Sequence, residues 1–592
     1  MKNVYLFQIS SFSYVEGRGE SKYTGDAQSM YMPYALGLIW SYAKNIENIK
    51  KNYVLKNFEI FRKNIDEVLD YMESPDIVAC SNYIWNDDYH LMLLEEIKKK
   101  WPNCITMIGG PSVSKTTEWY DDKSFIDFSI YAEGEIVFSD ILIEHLKEKP
   151  NYEIIPGMFF KKNDKHINTG KANRIIDLDQ IPSPYLTGVF DDLYEEYSDT
   201  IDFHAPIETN RGCPFKCTYC DWGGLIHQKM KFYDLERTKS EIDWIVSKKI
   251  PGIILTDSNL GMFERDLKMI DYVVDSSIKT GYPRYFHTAG YSKTPMGKNW
   301  VSLIQKKVLE IPESGAGKPH IAIQSFDETV LKYSKRKNLD IANSDLLENN
   351  ESEIYFSVEL IFPLPGSTYE SLKNDLDVLM QNKFALPRLF PTVVLPKSEL
   401  NSSEYKKLHG IKTVKRPYNH AIHENFSEID KEYISLIEST KYCSKREIVY
   451  AWLYFWTVMR FWWMPVMEYL VVSMKNVYDV EYIIYFDSFL SWMKNSNGWL
   501  NKNFYKPLSK IIMTSNYSLM PDHKTNNSWV DLILNNLDFV YEDVSKFLKD
   551  TYNLEKYEIE NLIDMQKNKF KHIEIASNGW KKNKPGENFL HA

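Results

Sequence analysis

Cysteine is scarce in this chain: its 592 residues include six. So few give no paired framework of the kind that staples small secreted domains, and the expected setting is a reducing, cytoplasmic one. A leader peptide is not expected, because the opening Met1-Lys2-Asn3-Val4-Tyr5-Leu6-Phe7 turns polar too soon. Long apolar runs are missing as well. The nearest approach, Ile448 to Met474 with Trp452, Trp456, Trp462 and Trp463, is broken by Arg460, Pro465 and Glu468, and charge at bilayer depth is expensive. Integral membrane insertion is therefore not expected. The run reads as a buried helical pair whose aromatic faces would suit a planar or lipid-like substrate. Nor is there an excess of positive charge, since the formal balance is -10 and the basic stretches, Lys98-Lys99-Lys100 and Lys567 to Lys584, are short. Phosphate chains want a concentrated basic surface, so a nucleic-acid partner is not expected. With 44% hydrophobic and 26% charged residues, the composition is that of an ordinary globular protein without a large disordered segment.

Half of the cysteine lies in one short run, Cys213-Pro214-Phe215-Lys216-Cys217-Thr218-Tyr219-Cys220. Thiolates at C-x₃-C-x₂-C spacing are soft ligands suited to iron–sulfur clusters or zinc. Zinc would want a fourth Cys or His at a matching distance, and none follows. Three ligands for a four-iron cluster leave one iron open, which is the geometry of a catalytic cluster rather than an electron relay. The remaining Cys80, Cys104 and Cys443 are scattered singly, the first two within apolar, strand-like runs that read as core.

Across residues 1–150, short apolar runs at Val4 to Gln8, Phe58 to Phe61, Asp76 to Ser81, Cys104 to Ile108 and Phe125 to Tyr131 alternate with helical patterns. The alternation predicts an α/β fold with a doubly wound parallel sheet, whose ligands bind at the carboxyl ends of strands. Gly109-Gly110-Pro111-Ser112 falls at one such end and Glu133-Gly134-Glu135 follows another. The glycine pair is either a plain tight turn or a place where backbone approaches a large flat ligand. A second series runs over residues 205–400: Pro206 to Thr209, a helix over Asp234 to Ser247, then Ile253 to Thr256, Ile321 to Gln324, Tyr355 to Phe362 and Thr392 to Leu395. Ser367 and Glu370 have capping-box spacing ahead of an apolar stripe from Leu372 to Met380. These βα units predict a partial barrel with its strand ends at one mouth. Residues 151–204 form a connector, and 401–592 a mainly helical C-terminal cap or substrate domain.

The cysteine run, with aromatic Tyr219 before the third cysteine, resembles that of the radical S-adenosylmethionine (SAM) superfamily. The ordered set Pro33-Tyr34-Ala35-Leu36-Gly37-Leu38, Asp76 to Ser81, Ile108 to Pro111 and Ala132 to Glu135 is similar to the cobalamin-binding domain preceding many such barrels. Asp177-Leu178-Asp179-Gln180-Ile181-Pro182-Ser183-Pro184-Tyr185 resembles their connector. The likeness covers about the first 400 residues. It implies a 4Fe-4S cluster on Cys213, Cys217 and Cys220, and cobalamin near Ser81, Gly109, Gly110, Pro111, Ser112, Gly134 and Glu135. It also implies SAM near Tyr219, Asp257, Asn259, Gln324, Ser325, Arg336 and Ile361, the last in a fifth-strand segment that packs on adenine, with Val394-Leu395-Pro396 as the sixth.

One departure concerns cobalt. Many cobalamin domains carry Asp-x-His-x-x-Gly after the first strand; here Ile9-Ser10-Ser11-Phe12-Ser13 stands in its place, and Asp88-Tyr89-His90 lacks the glycine and follows the wrong strand. His90 reads as a helix-start residue, which leaves the lower face of any bound cobalamin without a histidine. The tail holds only Cys443, against a multi-cluster maturase, and no N-terminal cysteine trio marks a methylthiotransferase. The resemblance thus implies a cobalamin-dependent radical SAM enzyme, foremost a methyltransferase acting on an unactivated carbon through a 5'-deoxyadenosyl radical and methylcobalamin. Cyclisation or rearrangement without net methyl transfer, and a non-catalytic corrinoid sensor, are the other readings. An electron donor such as flavodoxin or ferredoxin and a small-molecule or peptide substrate would be its partners. His287, Tyr291 and Glu359 stand near barrel strands as candidate catalytic side chains, each also accounted for by a structural role.

Overall fold

Strand Ile77–Ser81 is buried at every position, as a parallel strand covered on both faces should be. It lies in a seven-stranded sheet of the computed structural model, whose described residues are 1–10, 28–163, 165–222, 229–288, 290–291, 300–311, 320–338, 357–381, 387–418, 432–514, 523–570, 573–576 and 579–582. In chain order the first elements are β1 (Lys2–Phe7), β2 (Gln28–Tyr31), α1 (Tyr34–Lys44), α2 (Glu47–Asn52), β3 (Tyr53–Glu59), α3 (Ile65–Tyr71), β4 (Ile77–Ser81), α4 (Asp87–Lys100), β5 (Ile105–Gly109), β6 (Phe128–Ile130), α5 (Gly134–His145), β7 (Met158–Lys162) and β8 (Lys165–Asn168). The sheet order is β3-β1-β4-β5-β6-β7-β8. Its first five strands are parallel, and β7 and β8 extend it antiparallel.

Alternate side chains of these strands feed two cores. Val4, Leu6, Ile77, Ala79 and Met107 pack with Leu36 of α1 and Val137 and Ile141 of α5. Tyr5, Phe7, Val78, Cys80 and Ile108 pack with Val68 of α3 and Leu93, Leu94 and Ile97 of α4. Cys80 and Cys104 are core residues, as expected.

A second sheet follows α6 (Asp191–Tyr197), built from β9 (Ile201–Ile207), then, after the short β10 (Asn210–Arg211), β11 (Lys231–Phe232) and α7 (Leu235–Ser247), from β12 (Gly252–Leu255) and, beyond α8 (Glu264–Thr280), β13 (Tyr285–Thr288). Its order is β13-β12-β9-β2, all parallel. Asp234 caps α7 by accepting from Glu236 N at 2.6 Å. The edge strand β2 comes from the N-terminal part of the chain and was not expected. Strand β9 begins five residues before the anticipated Pro206, and Glu208 and Thr209 lie outside it. These elements belong to one compact unit, Met1–Gly317 with Leu395–Ser402 and His420–Ile434.

The second unit comprises Lys318–Val394, Ser403–Asn419 and Ser435–Ala592. It holds a parallel sheet of β14 (His320–Gln324), β15 (Ser357–Phe362) and β16 (Pro387–Pro391). Tyr355 and Phe356, expected in the middle strand, lie outside the described residues. The last strand precedes the anticipated Thr392 to Leu395, where only an isolated bridge from Val393 to Leu436 forms. The capping pair of helix Tyr369–Gln381 is also shifted. Thr368 Oγ1 accepts from Ser371 N at 3.0 Å and Ser371 Oγ from Thr368 N at 2.9 Å, while Ser367 Oγ accepts from Leu364 N at 3.0 Å. The aromatic run forms helix Lys445–Val458, a π-helical turn Met459–Trp463 and helix Glu468–Tyr478. Among the described residues no helix is long and apolar enough to cross a membrane.

Candidate functional site

The cysteine loop leaves the carboxyl end of β9 and is pinched at its base by the antiparallel pair β10–β11. Cys213 is buried, Cys217 and Cys220 half-buried, and Cys220 N donates to Cys217 O at 3.2 Å. Three consecutive residues after β12 hold this loop. Asp257 accepts from Thr209 N at 2.8 Å, Asn210 N at 3.2 Å and Asn210 Nδ2 at 2.6 Å, and from the Thr209 hydroxyl. Ser258 Oγ donates to Gly212 O at 2.7 Å, and Asn259 Nδ2 lies 3.3 Å from Cys213 Sγ. Burial pushes the Asp257 carboxyl up to about 7, against the pull of its Thr209 and Asn210 donors. Asp257 thus fixes the strand end leading into the triplet and Asn259 addresses a cysteine sulfur. Ser258, between them, was not foreseen.

Burial also pushes the Cys220 thiol up to about 11. Among the described residues no three His, Cys, Asp or Glu side chains close on a single metal ion. A cluster instead takes each thiolate on a different iron, and three soft sulfurs on one loop fit that demand.

The carboxyl edge of the first sheet is arranged differently. Gly110, at φ 101°, brings the turn after β5 against the chain after β4: Asn82 N donates to Gly109 O at 2.7 Å and Ser112 N to Asn82 O at 3.1 Å. A Cβ on Gly110 would stand 2.6 Å from Asn82 O, whereas one on Gly109 would meet nothing nearer than 3.8 Å. Ser81 and Ser112 are buried beside this turn and Pro111 is exposed. The Ser112 hydroxyl is buried without a hydrogen-bond partner. An orphaned hydroxyl beside a turn of small residues fits a flat ligand with acceptors, as a corrinoid has. Tyr83 and Trp85 stack at 4.5 Å just past β4. His90 lies within α4, with Nδ1 3.0 Å from Asn82 Oδ1 and Nε2 unpaired; Ser11, Phe12 and Ser13 lie outside the described residues.

Gly134 and Glu135 serve contacts within the chain. A Cβ on Gly134 would strike Ile39 Cδ1 at 2.7 Å, so this glycine lets α5 approach α1. Glu135 is ion-paired with Arg211 at 2.9 Å.

In the second unit Gln324 ends β14 at φ 67° and is buried. Ser325 Oγ donates to Asp375 Oδ2 at 2.8 Å, and Phe326 N to Asp375 Oδ1 at 2.7 Å. Arg336 Nε donates to Ile323 O at 3.2 Å and to Asn338 Oδ1 at 2.9 Å, while Nη2 reaches Ala322 O. The arginine expected near a ligand carboxylate therefore secures the end of β14. Ile361 stands half-buried on β15 opposite Phe390, and Tyr219 is half-buried on its loop. Glu359 lies opposite Arg388, His287 is exposed on β13, and Tyr291 is joined to Leu260 by a β-bridge.

A cysteine loop at the first strand of parallel βα units, following a doubly wound sheet in the chain, is similar to the arrangement expected of radical SAM enzymes with a domain of the cobalamin-binding type. No family model matches the sequence. Over 414 residues the chain is 28% identical to the cobalamin-dependent radical SAM methyltransferase TokK of Streptomyces tokunonensis, taking in 68% of this chain and 59% of TokK. Over 469 residues it is 25% identical to the 2-(S-pantetheinyl)-carbapenam-3-carboxylate methyltransferase of Streptantibioticus cattleyicolor, covering 77% of this chain and 67% of that enzyme. Its fold resembles that of OxsB, a cobalamin-dependent S-adenosylmethionine radical enzyme solved with aqua-cobalamin and SAM bound, at a TM-score of 0.55 and 14% identity over 96% of this chain and 84% of OxsB. The chain is thus similar to cobalamin-dependent radical SAM enzymes, and it spans about three-fifths of the length of the first of these relatives, 59%.

Proposed function

We propose that the chain is a cobalamin-dependent radical SAM methyltransferase acting on a small molecule. The observation that carries this reading is the convergence of Asp257, Ser258 and Asn259 on the loop bearing Cys213, Cys217 and Cys220, supported by the sequence relatives. When bound, the cluster, SAM and cobalamin would supply reductive cleavage of a sulfonium and a transferable methyl group, with electrons from a donor such as flavodoxin or ferredoxin. The three cysteines would hold the cluster, and Asn259 would tune it through the Cys213 sulfur. By the resemblance, Tyr219, Gln324, Ser325 and Ile361 are candidate SAM contacts, while Asp257 and Arg336 each secure a strand end within its own unit. Ser81, Gly109, Gly110, Pro111 and Ser112 would receive the corrinoid; Gly134 and Glu135 would act behind that surface. The functional parts follow residues 1–150, 151–204, 205–400 and 401–592, with Gln28–Tyr31 lent by the first part to the third.

The test is an anaerobic assay of reconstituted protein with SAM, dithionite and hydroxocobalamin, resolving 5'-deoxyadenosine and S-adenosylhomocysteine by mass spectrometry. Both products are expected, and both should vanish in Cys213→Ala. Deoxyadenosine alone from corrinoid-loaded protein would replace methyl transfer by cyclisation or rearrangement. Neither product from protein with a full cluster would favour a corrinoid sensor.

A further inference from the structure

Two cations tie the cysteine loop to the carboxyl edge of the first sheet. Arg211, two residues before Cys213, carries a guanidinium shared among three carboxylates. Nη2 lies 2.9 Å from both Glu135 Oε1 and Glu208 Oε2, Nη1 lies 3.2 Å from Glu133 Oε1, and Nε lies 3.1 Å from Glu208 Oε1. These side chains are withdrawn from solvent, with exposures of 11% for Arg211, 5% for Glu133 and Glu135, and 17% for Glu208. Glu133 and Glu135 flank the turn between β6 and α5, and Glu133 Oε2 also accepts from Ile175 N at 2.7 Å. Arg174 adds a further positive charge and donates to Arg211 O at 3.4 Å. A surface pair of this kind would contribute little. A buried guanidinium fork among three carboxylates fixes direction as well as distance.

The second tie comes from a distant part of the sequence. Lys397 Nζ donates to Gly110 O at 2.7 Å. Three residues later Leu400 N donates to Thr218 O at 2.8 Å, inside the cysteine triplet. Ser398 Oγ and Asn401 Nδ2 bond back to Leu395 O at 2.8 Å and Pro396 O at 3.0 Å, making this segment a compact strap. It touches the Gly109-Gly110 turn at one point and the cysteine loop at another.

We infer that Arg211 and Lys397 are positioning residues that clamp the cysteine loop to the first sheet and set the separation between the group on the three cysteines and the group at the Gly109-Gly110 turn. The inference rests on the cofactor reading above. Neither the loop nor the turn is held by long stretches of regular structure, so the spacing rests on these side chains and on the single backbone bond from Leu400 to Thr218. Transfer between separately bound groups is sensitive to displacements of ~1 Å.

The test uses the full chain reconstituted anaerobically with iron, sulfide and hydroxocobalamin, as Arg211→Lys, Glu135→Gln, Lys397→Met and Lys397→Arg. Iron and corrinoid are counted, and the magnetic relaxation of cob(II)alamin beside the reduced cluster is measured, because coupling between two spins falls steeply with distance. Arg211→Lys and Lys397→Met are expected to retain iron and corrinoid but shift the relaxation rate about twofold, the scale set by an ångström-level displacement. Lys397→Arg is expected to restore most of it. Wild-type relaxation in both Arg211→Lys and Lys397→Met would overturn the clamp and leave the cofactor reading standing. Wild-type protein that holds iron but no corrinoid would overturn the cofactor reading and the clamp with it. Should Arg211→Lys lose its circular dichroism spectrum, Glu135→Gln and Lys397→Met decide the question in the same way.

Discussion

The carboxyl edge of β4 and β5 and the carboxyl end of β9 and β12 are both ends of parallel strands, yet they differ in what their polar side chains hold, although each keeps a buried unpaired atom, Asn210 Oδ1 at the second. After β12 every group of the Asp257-Ser258-Asn259 run that faces the loop is engaged, the carboxylate by four donors. Beside β4 and β5 the Ser112 hydroxyl and the His90 Nε2 are buried with no partner. An unsatisfied buried group costs ~1–3 kcal/mol, and folds keep few of them. The bonds after β12 hold a piece of the chain. On the reading proposed above, the edge of β4 and β5 would instead meet a ligand directly.

The comparison breaks first at Asp257. Asp257→Ala would strand the Thr209 and Asn210 donors and is expected to cost about 3 kcal/mol, read as a lower denaturation midpoint, with a fall in reconstituted iron. An unchanged midpoint and full iron would show that the loop is held by something else.

His90 gives an effect confined to acid. Burial, aided by the Arg62 charge, lowers its pKa from 6.5 to about 3. The native state therefore binds fewer protons than the unfolded one. The stability contribution is complete above pH 6.5 and is lost as pH falls toward 3, at up to ~1.4 kcal/mol per pH unit. Asp87 and Glu432, raised by burial to about 7, act in the opposite sense over the same range, so the difference between wild type and His90→Gln isolates the imidazole. A difference in melting temperature that stays constant from pH 7 to about 4 would show that His90 is not buried neutral.

Gly110→Ala should cost about 2 kcal/mol, because alanine at that positive φ would press on the Asn82 backbone, and should release corrinoid. Wild-type corrinoid retention in that variant would remove the turn from the site. Ser112→Ala sharpens the contrast most finely. Removing a buried hydroxyl with no partner is expected to raise stability by about 1 kcal/mol while weakening corrinoid binding about fivefold, one hydrogen bond's worth. The reverse pattern would mean that Ser112 serves the fold.

The alternation of β1, β4, β5 and β6 with helices was legible because fully covered parallel strands read as short apolar runs, and the cysteine triplet was legible from spacing alone. The misses have physical causes. Strand β9 carries Asp202 and His204 on one face while Phe203, Ala205 and Ile207 enter the core, which hides its start. Strand β16 begins and ends with proline, acceptable because it is an edge strand. Arg211 and Lys397 left no pattern, since each finds partners dozens to hundreds of residues away; the acidic pair at Glu133 and Glu135 beside an arginine near the cysteines was the nearest available signal. The polar residues Asp257, Asn259, Gln324 and Ser325 stand at or just past strand ends as read, but sequence did not show that Asp257 and Arg336 also bond to the chain there.

The short strand Gln28–Tyr31 adds itself in parallel to β9, so the sheet that leads into the cysteine loop borrows its edge from the front of the chain. The two halves are thus not interchangeable modules. Exchanging the leading domain for that of a relative by cutting near residue 150 would also replace a structural strand of the recipient's sheet, and chimeras should succeed only where the donor's edge strand matches β9.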